Sequence, residues 1–373
     1  TLMSHILTGK VDTAIEKIKY YEKSFKNSEY KSQVSNFLIL IDLIRSSKKK
    51  EALEYLEENK DILITDKVKP LLKAWLSDSF EQAVSYLQEY EYKSEGLFLS
   101  SMYFQHLALV ANFFGEKEKA YEAFSEGLKN FTLEKTRTLY FYSIFISNNS
   151  EFNDDNSYLK EFHKKNSEHS FSMFLKNKKS NTLLINDFRK GVSELLYNLA
   201  ETLYGQGMNE TSIAFSQVSL FLNKNSDISN YLLAENFQLL GKQKKAIEIL
   251  KKISLQSYLG WNSHLKIADL YLDLKKYDEA KSYLLKLKSI KKNRIDIYYK
   301  LGELYHLQKD YAKAISSYTN GIKLLKNPDK KHWYIFYSRG MSFERSKKWI
   351  EAERDFLYAL ELFPNQPLVL NYL

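Results

Sequence analysis

The chain has 373 residues, 44% of them hydrophobic and 27% charged, with 12 Gly, 4 Pro, no Cys and a formal net charge of +9. So few turn-forming residues argue against a loop-rich or all-β protein, and the lack of Cys excludes disulfides, thiolate metal sites and a Cys nucleophile. Of the 55 basic residues 7 are Arg, whose planar fork serves phosphate and base recognition, so the charge reads as a solvated lysine surface and no nucleic-acid partner is expected.

In chain order, residues 1–147 read as irregular helical repeats. Thr1–Leu7 reads as the end of a first helix whose beginning is missing, and Ala14, Ala52, Ala83 and Ala120 head apolar-periodic second helices at spacings of 38, 31 and 37. The longest apolar stretch, Phe98–Phe114, is broken by Ser100, Ser101, Gln105, His106 and Asn112, so no transmembrane segment is expected. Residues 148–190 lapse into a polar stretch rich in Asn, Ser and Lys, read as a degenerate repeat plus an insertion. Short helices are expected there near Ser157–Lys165 and His169–Lys176. The tyrosines and phenylalanines follow a 3.6-residue period throughout, so no strand is expected.

Residues 191–373 carry a regular array. Small residues recur at Ala200, Ala234, Ala268 and Gly302, each 34 apart, and again at Gly340; a second series runs Ala214, Ala246, Ala280, Ala314, Ala352. Three residues after each member of the first series stands a large one: Leu203, Phe237, Tyr271, Tyr305 and Phe343. Two helices cross closely where both present a small side chain, and large neighbours fill the gaps beside the crossing. This period and pattern resemble the tetratricopeptide repeat, a 34-residue pair of antiparallel helices. The expected fold is therefore all-α, a tetratricopeptide-repeat superhelical solenoid. Arg294–Pro328 and Trp333–Pro364 are its cleanest copies, each closed by a proline. Pro367–Leu373 begins a further first helix, so the chain reads as a fragment truncated in its last repeat.

His332–Leu373 and Gly191–Asn223 are similar to segments of long tetratricopeptide-repeat proteins of alphaproteobacteria. That resemblance implies an exported protein, hence a periplasmic or cell-envelope location, and protein–protein scaffolding without catalytic residues. The signal peptide and the further repeats that the family carries are absent from this sequence, so a cytoplasmic location stays open.

No enzyme, cofactor or metal site is expected from the residues themselves. The seven histidines include no i, i+4 pair, as a helical zinc site needs, and His163 and His169 stand six apart in the polar insertion. Gly205-Gln206-Gly207 is a lone GxG between two helices, read as a turn; Asp154-Asp155 lacks the rest of a calcium loop. The informative constellation lies on the first helices. Tyr197, Tyr231, Leu265, Tyr299 and Tyr337 precede the small residues by three, and Glu201, Glu235, Asp269 and Glu303 follow directly after them. Spaced by four, each Tyr and its acid share one helix face. Stacked over repeats, they predict an aromatic and acidic concave groove suited to a basic or amphipathic peptide or partner helix. Two functions follow: a binding scaffold, or the non-catalytic arm of a larger enzyme or envelope-assembly machine.

Overall fold

The structure is a computed structural model and describes residues 1–24, 32–89, 97–129, 136–153, 157–165, 171–172 and 184–372. Asp154-Asp155, His169, Leu373 and most of the helix expected near His169–Lys176 lie outside these residues. Among the described residues every regular element is a helix. The chain divides into two compact units, one comprising Thr1–Lys242 with Lys252–Leu259 and the other Gln243–Lys251 with Gly260–Leu373. The divide falls inside the segment that the 34-residue spacing treats as one array.

The first unit contains α1 (Leu2–Leu7), α2 (Val11–Ser24), α3 (Gln33–Arg45), α4 (Lys49–Glu58), α5 (Lys69–Leu76), α6 (Phe80–Gln88) and α7 (Leu97–Phe113). It continues with α8 (Lys117–Leu128), α9 (Thr136–Asn148), α10 (Tyr158–Lys165), α11 (Phe188–Gly205), α12 (Asn209–Leu222) and α13 (Asp227–Leu239). The second unit contains α14 (Gln243–Leu250), α15 (Gly260–Asp273), α16 (Tyr277–Ile290), α17 (Ile295–Leu307) and α18 (Tyr311–Ile322). After a 3-10 turn at Lys330–His332 come α19 (Trp333–Arg345), α20 (Trp349–Leu362) and α21 (Pro367–Leu370).

Local sequence fixes where these helices start and stop. Side chains of Ser32, Ser79, Asp187, Ser226 and Asp310 cap helix N-termini by accepting from backbone N–H groups, which satisfies donors that the helix itself leaves open. First helices end in one recurring turn. At Lys275 (φ 56°) the N–H bonds to the Leu272 carbonyl at 2.8 Å and the following Lys276 N–H to that of Tyr271 at 2.8 Å. This is the paired closure of a left-handed helix cap. The same left-handed residue recurs at Gly207, Gly241, Lys309 and Lys347, and Gly207, Gly241, Lys275 and Lys309 keep the 34-residue spacing.

The small residues of both series are buried, with Ala200, Ala234, Ala268, Ala246, Ala280 and Ala314 at 0% exposure. In the second unit α17 packs on α18 and α19 on α20, and the first helices α15, α17 and α19 lie side by side. The first unit is held differently. There α11 and α12 pack on each other and also on α5, α7 and α1, early in the chain. Trp75 of α5 fills the space beside Gly191, Phe37 and Phe215 rings lie 5.5 Å apart, and the Trp75 indole N–H donates to His106 Nδ1 at 3.0 Å. Contacts between sequence-distant helices therefore join the neighbour stacking that alone holds a simple repeat array.

Candidate functional site

The expected groove residues divide between the units: Tyr197, Glu201, Tyr231 and Glu235 stand in the first, Leu265, Asp269, Tyr299, Glu303 and Tyr337 in the second. In the first unit the four-residue spacing brings Tyr197 and Glu201 together, the phenol donating to the carboxylate at 2.6 Å. Tyr197 is buried, at 3% exposure, and burial holds its hydroxyl well above the ordinary range, reinforced by the Glu201 charge. Desolvation also raises Glu201, against the hydrogen bond from Tyr197. Tyr231 and Glu235 are half-buried, and Glu235 accepts from the Tyr204 hydroxyl at 3.4 Å.

In the second unit all five residues are half-buried on the faces of α15, α17 and α19. The Lys300 amine bridges the two acids, 2.8 Å from Asp269 and 2.9 Å from Glu303. It was not among the residues the sequence singled out, although it stands three before Glu303 at the spacing of a helical ion pair. Burial raises Asp269, against the pull of Lys300. Tyr299 packs edge-on to Tyr334 at 4.6 Å and tilted against Tyr318 at 5.9 Å. Burial pushes its hydroxyl up, and the Glu303 charge adds to the shift. Tyr337 is bracketed by Trp333, Phe356 and Tyr372 at 5.7, 6.0 and 5.8 Å. This face thus offers half-exposed aromatic edges around a cation held by two acids.

Sequence reasoning missed a second feature, in the first unit. A cavity of about 290 Å³ opens among α9, the start of α11, the start of α13 and the segment 252–259. Its inner wall is a buried ion pair: Arg137 donates Nε–H and an Nη–H to the two Glu194 oxygens at 2.7 and 2.5 Å. The other guanidinium nitrogen donates to the Tyr258 hydroxyl at 3.0 Å, and Tyr258 stacks on Tyr140 at 4.2 Å. Arg137 and Glu194 stand 57 residues apart, and no sequence pattern joins them.

A family model of the tetratricopeptide repeat matches residues 262–294 and 295–326. These limits hold all but the first two residues of α15 and the whole of α16 to α18, whose buried small residues carry the 34-residue spacing. The fold is all-α and tetratricopeptide in type.

Among curated proteins, the BBSome complex member BBS4 of Bos taurus is 28% identical over 119 residues, 32% of this chain and 22% of that protein. The general transcriptional corepressor ssn6 of Schizosaccharomyces pombe is 28% identical over 145 residues, 39% of this chain and 13% of its own length. The chain thus spans less than a quarter of either relative. A solved structure of MamA from Desulfovibrio magneticus RS-1 aligns with 47% of this chain and 96% of its own, at 18% identity and a TM-score of 0.39. Among the described residues no helix is long and apolar enough to cross a membrane, and no three His, Asp or Glu side chains are grouped to hold a metal ion.

Proposed function

We propose that this chain is a non-catalytic protein–protein interaction scaffold that holds a peptide or partner protein on its first-helix faces in the bacterial cell envelope. The observation that carries the reading is the face of α15, α17 and α19, where Leu265, Tyr299 and Tyr337 stay half-exposed beside the Asp269–Lys300–Glu303 cluster. Half-exposed tyrosines supply apolar contact together with a hydroxyl, the composition of binding hot spots. Two acids around one lysine leave a net negative centre that suits a basic or amphipathic segment. The relative named a BBSome complex member is by that name part of a larger assembly, which agrees with a scaffolding role. The envelope location rests on the resemblance of residues 191–223 and 332–373 to exported repeat proteins.

A photo-crosslinking residue at Tyr337, introduced in the native organism, tests this. The expected result is one dominant crosslinked protein in the envelope fraction, reduced at least tenfold by Tyr299→Ala. Crosslinking that appears only from a probe at the exposed Trp349 on α20 would overturn the assignment to the first-helix face. Capture confined to the cytosolic fraction would overturn the location.

A further inference from the structure

The cavity of the first unit has a chemistry of its own. Four charged side chains line it: Arg137, Glu194, Lys190 and Asp227. Arg137 and Glu194 neutralise each other through two hydrogen bonds. Lys190 is exposed and turns its amine to the Asn186 side chain at 2.9 Å. Asp227 is the remaining acid of the lining. Among the described residues it forms no ion pair, and Ser257 lines the cavity with it. It is half-buried, and desolvation raises it, against the opposing pull of the Ser257 hydroxyl and the Arg137 charge. A carboxylate so placed gains from an added cation. Around it stand Asn223 and Asn225, whose amide oxygens accept hydrogen bonds, while Phe141, Ile144, Ile185 and Ile228 supply an apolar wall. The volume lies at the small end of ligand sites, room for one side chain and not for an extended ligand.

We propose that this cavity is an anchor pocket for a single arginine side chain of a partner polypeptide, with the Asp227 carboxylate receiving the guanidinium and the neighbouring asparagine amides accepting its remaining N–H groups. The guanidinium carries five donors in a planar fork and no acceptor, which fits a wall of oxygen acceptors beside one carboxylate. The stem would lie along Ile185 and Ile228, as long basic side chains cover apolar surface with their methylenes. This deepens the scaffold reading and rests on it for the polypeptide source, but it concerns a different unit from the Tyr299 face.

The test uses the full chain with ¹³C-labelled isoleucine methyls, three of which (Ile144, Ile185 and Ile228) line the cavity. Capped Ala-Arg-Ala is expected to shift these signals saturably. The isosteric citrulline peptide, which lacks the charge, should bind at least tenfold more weakly, and Asp227→Asn should weaken the arginine peptide by a similar factor. Equal affinity for arginine and citrulline peptides, or no shift of the three methyls, would overturn the proposal without any variant having to fold. Agmatine binding as tightly as the peptide would overturn the polypeptide source. Any of these failures leaves the crosslinking result at Tyr337 untouched, so the two readings fall separately.

Discussion

The ring of Tyr318 occupies the space that a Cβ on Gly302 would need, with its nearest atom 2.3 Å from that position. Tyr318 is 1% exposed and cannot swing outward. Gly302 lies inside α17, where alanine would otherwise be favoured by about 1 kcal/mol. Overpacking reverses the sign: Gly302→Ala should destabilise by about 1–3 kcal/mol, read as a lower urea midpoint with an unchanged slope. Gly205, at the end of α11, has nothing within 4 Å of its Cβ position, so Gly205→Ala should leave the midpoint where it is or raise it. Equal responses at the two positions would refute the tight crossing of α17 and α18.

A second prediction comes from the turns. Gly207 and Gly241 adopt positive φ with open space around them, and Lys275, Lys309 and Lys347 adopt the same conformation with a side chain. A left-handed residue with a Cβ costs roughly 1–2 kcal/mol, offset by the greater freedom that glycine loses on folding, about 0.5–1 kcal/mol. Each of Lys275→Gly, Lys309→Gly and Lys347→Gly should therefore stabilise by about 0.5–1 kcal/mol, and Gly207→Ala should destabilise by a similar amount. Thermal melts of the four variants check the signs. A destabilising Lys309→Gly would mean that the lysine side chain contributes more than its backbone strain removes.

These two cases also mark how far the sequence was readable. The small residues at Ala200, Ala234, Ala268 and Gly302 declare their role because packing at a helix crossing forbids anything larger, so helix pairing is legible from spacing alone. The acid that follows each is legible as a position but not in its company: Lys300, which ties Asp269 to Glu303, stands on the same helix as one acid and one repeat away from the other. Tyr197 illustrates the converse. It occupies the same register position as the half-exposed Tyr299, yet it is buried, with the Arg137 guanidinium of α9 5.9 Å from its ring and Tyr258 of the segment 252–259 nearby. Those contacts, like the Arg137–Glu194 pair, join sequence-distant segments that no period connects.

Arg339 and Asp355 form a comparable pair in the second unit. Arg339 Nε and an Nη nitrogen donate to the two Asp355 oxygens at 2.6 and 2.7 Å, and the other Nη donates to Thr319 at 3.2 Å. Their side chains are 14% and 4% exposed. Removing one partner strands a buried charge, which costs about 3–5 kcal/mol, whereas replacing both with apolar residues is often near neutral. Arg339→Met alone should be severely destabilising, and Arg339→Met with Asp355→Leu should recover most of the loss. Additive losses in this cycle, measured by denaturant unfolding, would show that the two side chains do not interact as drawn.

The last prediction concerns acid. His106 is wholly buried; its Nδ1 accepts from Trp75 at 3.0 Å, so the ring proton is assigned to Nε2, which donates to the Asn198 amide oxygen at 2.9 Å. Desolvation lowers its pKa from 6.5 to about 4, although the Asn198 bond and the charge of Glu194 pull the other way. Glu194 in turn is held by Arg137. Below the ordinary histidine pKa the unfolded chain therefore takes up a proton that the folded chain refuses. Stability from this group is fully present above pH 6.5 and falls as the pH drops towards 4, by roughly 3 kcal/mol at one pKa unit per 1.36 kcal/mol. Protonating Nδ1 would also break the Trp75 bond, which couples the loss to the core around Gly191. His106→Gln keeps an acceptor and a donor without a titrating group. Urea unfolding at pH 7 and pH 4.5 should show a smaller acid loss for this variant than for the native chain, the carboxylates being common to both. Identical losses would mean that the imidazole does not titrate in this window and that Trp75 and Asn198 do not fix its neutral form.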